Sequence, residues 1–296
     1  MKLHQLRALV AVADQGSIAG AARSLFVSQP AVTKAIRELE SDIGITLLGR
    51  SVTGVTLTST GESLVRRARL IVGELERAEE QMAIEKGALE GKITVGVTPI
   101  TALTLLPGAY ERFRRDMPQI RVTFLEQTTT RLLDNLRQGT LDFALGTSAE
   151  VLSDSAMQVT DLAVYPLAFA VRQNGLLAQA TSLADLCDAE WLHSDTTGAY
   201  PIYVAELFRR HGLPPPQRMT LCTSQALLYS LAITFDAVIA WSLHAIGAVN
   251  VRGQFRRLDF VETTRDLKLQ LMQRAGAIQT RPSEYFMRCI VDAAAV

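Results

Sequence analysis

Cysteine and histidine are scarce in this 296-residue chain, three and four respectively, and their placement excludes more than their number does. Cys187, Cys222 and Cys289 have no paired spacing of the zinc-binding or redox kind. They read as buried apolar thiols that suit a reducing cytosol. His4, His193, His211 and His244 fall in unrelated segments. No G-x-S-x-G elbow, H-E-x-x-H or G-x-G-x-x-G is present, and Gly87 lies too close to Gly91-Lys92, with no strand before it, for a phosphate-binding loop. Enzyme chemistry is disfavoured, and no cofactor or metal is expected.

An excess of charge is lacking too, since 30 basic residues balance 30 acidic ones, but the distribution is uneven. Up to residue 70, nine Lys and Arg face five Asp and Glu, so the amino-terminal part is the basic one. The amino terminus alternates Lys2, His4 and Arg7 with apolar residues and lacks the apolar core of a secretion signal. Gly96, Pro99 and Pro107 break the uncharged stretch from Ile93 to Tyr110, which reads as a strand running into a helix and not as a membrane span. With 48% hydrophobic residues for buried cores, the expectation is a folded cytoplasmic protein of two or more domains.

What is present begins at the amino end. Leu3, Leu6, Leu9, Val10 and Ala13 recur at helical spacing until Gln15-Gly16 stops the run. Ser17 offers an N-cap for a short helix with Ala21, Ala22 and Leu25 on its apolar stripe, and the alanines let a following helix cross closely. Phe26-Val27-Ser28 allows only a tight turn. A second helix follows, with Ser28 as cap, Gln29 and Pro30 in the first turn, and Val32, Ile36 and Leu39 pointing inward.

Two short helices and a tight turn, the second helix apolar on one side only, describe a helix-turn-helix. Its outward face sets Gln29, Thr33 and Arg37 one turn apart, with Lys34 adjacent. An amide can bond an adenine edge, a Thr methyl can touch a thymine methyl, and Lys or Arg can serve guanine or phosphate. Taken alone, a solvated helix face has the same pattern. The segment "ITLLGRSVTGVTLTSTG" (Ile45 to Gly61) then reads as two short strands around Thr53-Gly54, a wing whose Arg50 supplies a second basic contact to a phosphate backbone. The candidate DNA-facing set is Ser28, Gln29, Pro30, Thr33, Lys34, Arg37, Arg50 and Thr53.

At this point the sequence closely resembles the LysR-type family of bacterial transcription regulators. The residues that carry the resemblance are "ADQGSIAGAARSLFVSQPAVTKAIRELE" (Ala13 to Glu40), "LLGR" (Leu47 to Arg50) and "GVTLTSTGE" (Gly54 to Glu62). One departure is Gly49, where the family usually has a larger residue. The resemblance implies a winged helix-turn-helix, a linker helix that pairs two such domains on double-stranded DNA, and an effector domain similar to periplasmic binding proteins.

Ser59 and Glu62 have capping-box spacing at the start of that linker. Leu64, Ala68, Ile71, Leu75, Ala78 and Met82 then repeat every seven residues, a seam that demands a partner. Pairing with a second copy over residues 59–90 is the favoured reading, and packing on the chain's own second domain is the other. Gly87 and Gly91 end the helix.

Further on, "KITVGVT", a helix over Leu103 to Arg115, "IRVTFLE", a helix over Arg131 to Gln138 and "LDFALGT" alternate strand and helix, which implies a parallel sheet. A second set starts at "VYPLAFAVR" (Val164 to Arg172) and runs through "EWLHS", a helix over Ile202 to His211, "RMTLCTS", a helix over Gln225 to Thr234 and "AVIAWS". "LKLQLMQR" and a helix over Ser283 to Ala293 return to the first set.

The expected organisation is therefore a winged head (1–58), a linker helix (59–90) and a two-lobed α/β effector domain (91–296). Lobe one takes 91–161 and 265–296, and lobe two takes 162–264. Crossings fall near Asp161 and Thr264.

In open α/β sheets a ligand lies beyond the carboxyl ends of the strands, where helix N-termini present N–H groups. Hydroxyls crowd those ends: Thr98, Thr101, Thr128, Thr129 and Thr147 in the first lobe, and Thr196, Thr197 and Ser224, with Gly198 beside them, in the second. Each can cap a helix, contact a ligand, or both. The resemblance favours Thr98, Thr101, Thr128 and Thr197 as effector contacts, with Ile100 and Tyr200 as apolar wall. A small organic anion is the expected effector. Phe235 and Asp236 stand where many family members have a glycine-rich turn, and Asp236 either caps that turn or repels an anion. A stand-alone solute-binding protein would explain the lobes but not the basic winged segment. The expected assembly is a homodimer, paired again into a homotetramer.

Overall fold

The computed structural model describes residues 1–51, 54–85, 91–148, 154–196, 198–247, 253–259 and 266–295. The head packs α1 (Leu3–Gln15), α2 (Ile18–Ser24) and α3 (Gln29–Ile43) around Leu9, Val12, Ala21, Ala22, Val32, Ile36 and Leu39. Ala21 is fully buried, so a larger side chain there would push the two short helices apart. Ser17 and Ser28 both cap as expected, accepting from the N–H of Gly20 at 3.0 Å and of Ala31 at 3.3 Å. Gly16 and Gly44 end α1 and α3 in the left-handed conformation, which glycine adopts without a Cβ clash.

The wing is an antiparallel pair, β1 (Leu48–Ser51) and β2 (Gly54–Leu57), with Leu48 opposite Leu57 and Gly49 opposite Thr56. Glu40 of α3 anchors it by accepting the N–H groups of Leu47 and Leu48 at 2.7 and 3.2 Å. The linker helix α4 (Ser59–Glu85) follows. Its cap is Thr58 and not the expected Ser59. The Thr58 hydroxyl accepts the N–H of Gly61 at 3.0 Å and lies 3.0 Å from the Thr46 carbonyl. One residue thus serves both helix and wing, a double use that spacing alone does not reveal.

The seam on α4 divides. Ala68 is buried with Leu6 and Val72 against α1, and Leu64 packs on the head core. Ile71, Ala78 and Met82 are exposed and Leu75 is half-buried. A neighbouring face of α4 meets lobe one of the same chain, where a Cβ on Gly139 would come within 2.9 Å of the Leu70 side chain. Both readings of this helix therefore have residues available to them.

The first lobe has β3 (Lys92–Val97), α5 (Pro99–Leu103), α6 (Leu106–Asp116), β4 (Arg121–Glu126), α7 (Thr129–Arg137) and β5 (Phe143–Ser148). A single long strand, β6 (Met157–Arg172), leads out of it. The second lobe has β7 (Glu190–His193), α8 (Ala199–Arg210), β8 (Met219–Leu221), α9 (Gln225–Thr234), β9 (Ala237–Ser242), α10 (Leu243–Ile246) and β10 (Phe255–Arg257). Then β11 (Asp266–Arg274) and α11 (Arg281–Ala294) rejoin the first lobe.

The strand order is β4-β3-β5-β11-β6-β9-β7-β8, with β10 on β6. β3 runs parallel to β4 and β5, and β7 runs parallel to β8 and β9, as the alternation of strand and helix implies.

Two expectations need correction. The helix drawn over Leu103 to Arg115 is broken at Thr104-Leu105, between α5, which ends at Leu103, and α6, because Pro107 has no N–H to donate to the Leu103 carbonyl and its ring crowds that turn. The strand drawn from Val164 begins at Met157. Its first part pairs with β11 and its later part, Leu167 to Ala170, pairs with β9. The crossing near Asp161 is thus continuous strand shared by both lobes. The second crossing, near Thr264, lies outside the described residues, as does Gly87.

Candidate functional sites

On α3, Ser28, Gln29, Pro30, Lys34 and Arg37 are exposed and Thr33 is half-buried. Val32, Ala35, Ile36 and Leu39 bury the opposite side, so the helix cannot rotate to hide this face without exposing its anchors. Gln29, Pro30, Thr33, Lys34, Arg37 and Glu38 line one shallow groove. Glu38 is the member that the sequence reading left out. Its carboxylate lies 3.8 Å from the Lys34 ammonium, with both side chains well exposed, an arrangement of small energetic weight that leaves Lys34 able to turn to a phosphate. The backbone of Arg50 is in β1, next to this helix in sequence order, while its side chain and the whole of Thr53 lie outside the described residues.

The second site lies where the strands of both lobes end. In lobe one, Thr98 is at the N-cap position of α5, but its hydroxyl caps no N–H. It sits 3.4 Å from the Thr101 hydroxyl, both residues buried. Thr101 donates to the Thr98 carbonyl at 2.8 Å. Thr129 donates to the Thr147 carbonyl at 2.8 Å and so is used in joining α7 to β5. Thr128 and Ser224 act as caps, accepting from Arg131 at 3.5 Å and Leu227 at 3.4 Å. The hydroxyl-rich rim therefore splits into the caps Thr128 and Ser224, the strand tie Thr129, and Thr98, whose hydroxyl faces that of Thr101 and caps nothing. Ile100 packs against the cores of both lobes, which puts the short α5 at the point where they meet.

In lobe two, Gly198 takes φ 82° ahead of α8, and the N–H of Tyr200 donates to Asp195 at 2.8 Å. The Tyr200 ring stacks on His193 at 5.3 Å between centroids and packs into the lobe-two core. Its hydroxyl is buried and has no hydrogen-bond partner among the described residues, and burial pushes the phenol far above its ordinary range. Tyr200 is half-buried, its hydroxyl end being the enclosed part. Burial also lowers the His193 pKa, against a smaller opposing effect of Asp195. His193 was not singled out from sequence, because a lone histidine ending a strand carries no pattern. Thr197 lies outside the described residues.

Asp236 is placed clear of the strand ends just described. It precedes Ala237, which pairs with Glu190 at the start of β7, whereas His193 and Ser242 mark the opposite ends of those strands. One of its oxygens accepts the N–H of Leu177 at 3.1 Å. A Cβ on Gly175 would come within 2.0 Å of its carboxylate. Asp236 is a turn residue at the far end of the lobe, not a group facing a ligand between lobes.

A family model described as the bacterial regulatory helix-turn-helix protein of the lysR family matches residues 3–62, and the LysR substrate binding domain matches residues 86–295. The chain belongs to the LysR family. LysR-type chains are DNA-binding transcriptional regulators with an effector-binding domain, and this chain is one of them. It is 28% identical to the HTH-type transcriptional regulator GbpR of Azospirillum brasilense, over 82% of this chain and 72% of that protein. It is also 28% identical to the HTH-type transcriptional regulator TdcA of Escherichia coli K12, over 76% of this chain and 72% of that one. The fold is that of full-length CbnR in complex with its target DNA, with a TM-score of 0.67, 24% identity and coverage of 99% and 100% of the two chains. Among the described residues, no helix is long and apolar enough to cross a membrane.

Proposed function

We propose that this LysR-family regulator reads duplex DNA with Gln29 and Thr33 of α3, while Lys34, Arg37 and the wing residues Arg50 and Thr53 hold phosphate. Ser28 and Pro30 set the start of the helix. The observation that carries this reading is the exposed groove from Gln29 to Glu38 on a helix whose other side is fully anchored. Two chains pair along residues 59–90, supported by the outward Ile71, Ala78 and Met82, and two such pairs form a tetramer. The head spans 1–58, the linker 59–90 and the effector domain 91–296. The chain acts by binding and not by catalysis, in the cytoplasm; its curated relatives are regulators by name.

The effector is a small organic anion held between the lobes by Thr98, Thr101 and Thr128, with Thr129, Thr147, Thr197, Gly198 and Ser224 around it and Ile100 and Tyr200 behind. The uncapped Thr98 hydroxyl supports this choice. Helix N-termini on both lobes favour negative charge.

The test uses full-length protein and a duplex that it selects from a random library. Gln29→Ala should cost about tenfold in affinity for that duplex and little on random DNA. Lys34→Ala should weaken both and lower the salt slope by about one. Equal losses on both duplexes for Gln29→Ala would remove it from base reading. For the effector, melting shifts over a panel of small organic acids should identify a stabilising ligand. Thr98→Val should abolish that shift without changing the unliganded melting temperature.

A further inference from the structure

We infer that Phe26, in the turn of the helix-turn-helix, is a DNA contact that extends the footprint of α3 through its aromatic ring. Phe26 is the non-glycine residue with positive φ, 55°, among the described residues. Local hydrogen bonding explains why the backbone must turn this way. The N–H of Val27 donates to the Ala22 carbonyl and that of Phe26 to the Arg23 carbonyl, at 3.0 and 3.2 Å. These are the two bonds of a Schellman motif, whose pivotal residue takes the left-handed conformation and is usually glycine or asparagine. A phenylalanine there opposes the turn by roughly 1 kcal/mol or more.

The ring recovers none of this through packing, since Phe26 is 95% exposed. A left-handed turn without glycine and a bare aromatic ring are separate liabilities on one residue, and neither serves the folded head. Both become intelligible if the ring is covered when the head is on DNA.

The occupant follows from position. Phe26 opens an unbroken exposed run, Phe26 to Ala31, that continues into the reading face of α3. With Gln29 against a base edge, a residue three positions earlier, ahead of the helix N-terminus, lies beside the adjoining nucleotide. The apolar surfaces that DNA offers there are a thymine methyl and the carbon face of a deoxyribose. Carrying no charge, the ring adds affinity without releasing counterions.

The inference rests on α3 being the reading helix, so its test is kept apart from that of Gln29. Full-length Phe26→Gly should melt at or above the wild-type temperature, because glycine accepts the turn. It should bind the duplex selected by the wild type about tenfold more weakly, with an unchanged salt slope. Phe26→Tyr, which keeps the ring, should bind within about twofold of wild type. Wild-type affinity of Phe26→Gly on that duplex would overturn the inference. So would a fall in melting temperature that accompanies the lost affinity, since the ring would then be structural. Intact DNA affinity with lost transcription would assign the ring to a protein partner and also overturn it. Replacing each thymine in the duplex by deoxyuridine separates the two DNA surfaces. One position to which wild type is sensitive and Phe26→Gly is not marks a thymine methyl, and the same sensitivity of wild type and Phe26→Gly at every position marks the sugar. If Gln29→Ala proved neutral while Phe26→Gly lost affinity, Gln29 would be removed from base reading and the contact at Phe26 would stand.

Discussion

Buried polar side chains in the effector domain show how single residues divide between holding the fold and facing a ligand. Thr101 is fully buried and its hydroxyl ties α5 to the carbonyl ends of β3 and β5. Thr101→Val keeps the shape and removes that tie, so a loss of roughly 1 kcal/mol in denaturant unfolding is expected. His193 makes the complementary case, because burial disfavours its charged form. Its folded pKa lies below the ordinary value of 6.5, so the unfolded chain binds the extra proton first. Stability from this group is complete above about pH 6.5 and is lost as pH falls toward the folded value. Melting curves of wild type and His193→Phe should therefore converge above neutrality and diverge below it, the variant losing less on acidification. Parallel curves down to pH 5 would mean that His193 binds its proton equally well in the folded and the unfolded chain.

Elements with strong local signals were legible in the sequence, and those set by long-range pairing were not. The three head helices and the wing follow from caps, glycine stops and one-sided apolar spacing, all properties of short stretches. The long β6 was read as a shorter strand because its first half, around Asp161, alternates poorly; it is strand there because β11 pairs with it. Of the two sites, the α3 face could be read from spacing, whereas which threonines cap and which stay free depends on carbonyls tens of residues away. Thr58 shows the same limit. It lies just before the expected cap, and its importance comes from the Thr46 carbonyl, just ahead of the wing, on its other side. Thr58→Val should cost about 1 kcal/mol, and hydrogen exchange should speed up jointly in the first turn of α4 and at Leu47. Faster exchange in α4 alone would mean that the wing is held by Glu40 without it. On the same helix, Ile71→Glu with Met82→Glu should shift full-length protein to smaller species in light scattering, because charge on the outward seam opposes pairing.

At the scale of the whole molecule, α4 carries more than a seam, because head and effector domain both hold on to it through charge. Arg69 pairs with Asp14 of α1 and also donates to Gln138 of lobe one at 2.7 Å. Glu74 pairs with Arg274 and with Arg77, and Arg77 reaches Asp142 at 3.4 Å. Asp14, Arg69, Arg77, Gln138 and Asp142 line a cavity of about 310 Å³ between helix and lobe. Arg77 and Asp142 expose only 15% and 13% of their side chains, so this pair is far less screened than a surface one. Burial raises the pKa of Asp142, and the N–H of Thr94 and the Arg77 guanidinium hold it down. Removing the guanidinium leaves a largely desolvated carboxylate with one backbone donor, which is the costly way to break a pair. Arg77→Ala should weaken the docking of α4 on lobe one by about 2 kcal/mol, discounted for the partial exposure of both groups. Hydrogen exchange in α4 after residue 69 should then rise together with that of the segment from 137 to 142, while the buried core of the head stays protected. The double variant Arg77→Met with Asp142→Asn should recover most of the loss, because no charge is left stranded. If Arg77→Ala loosened only lobe one and left α4 unchanged, helix and lobe would be independent bodies. Changes at the effector cleft would then have to reach the DNA-reading heads by contacts between chains and not through this junction.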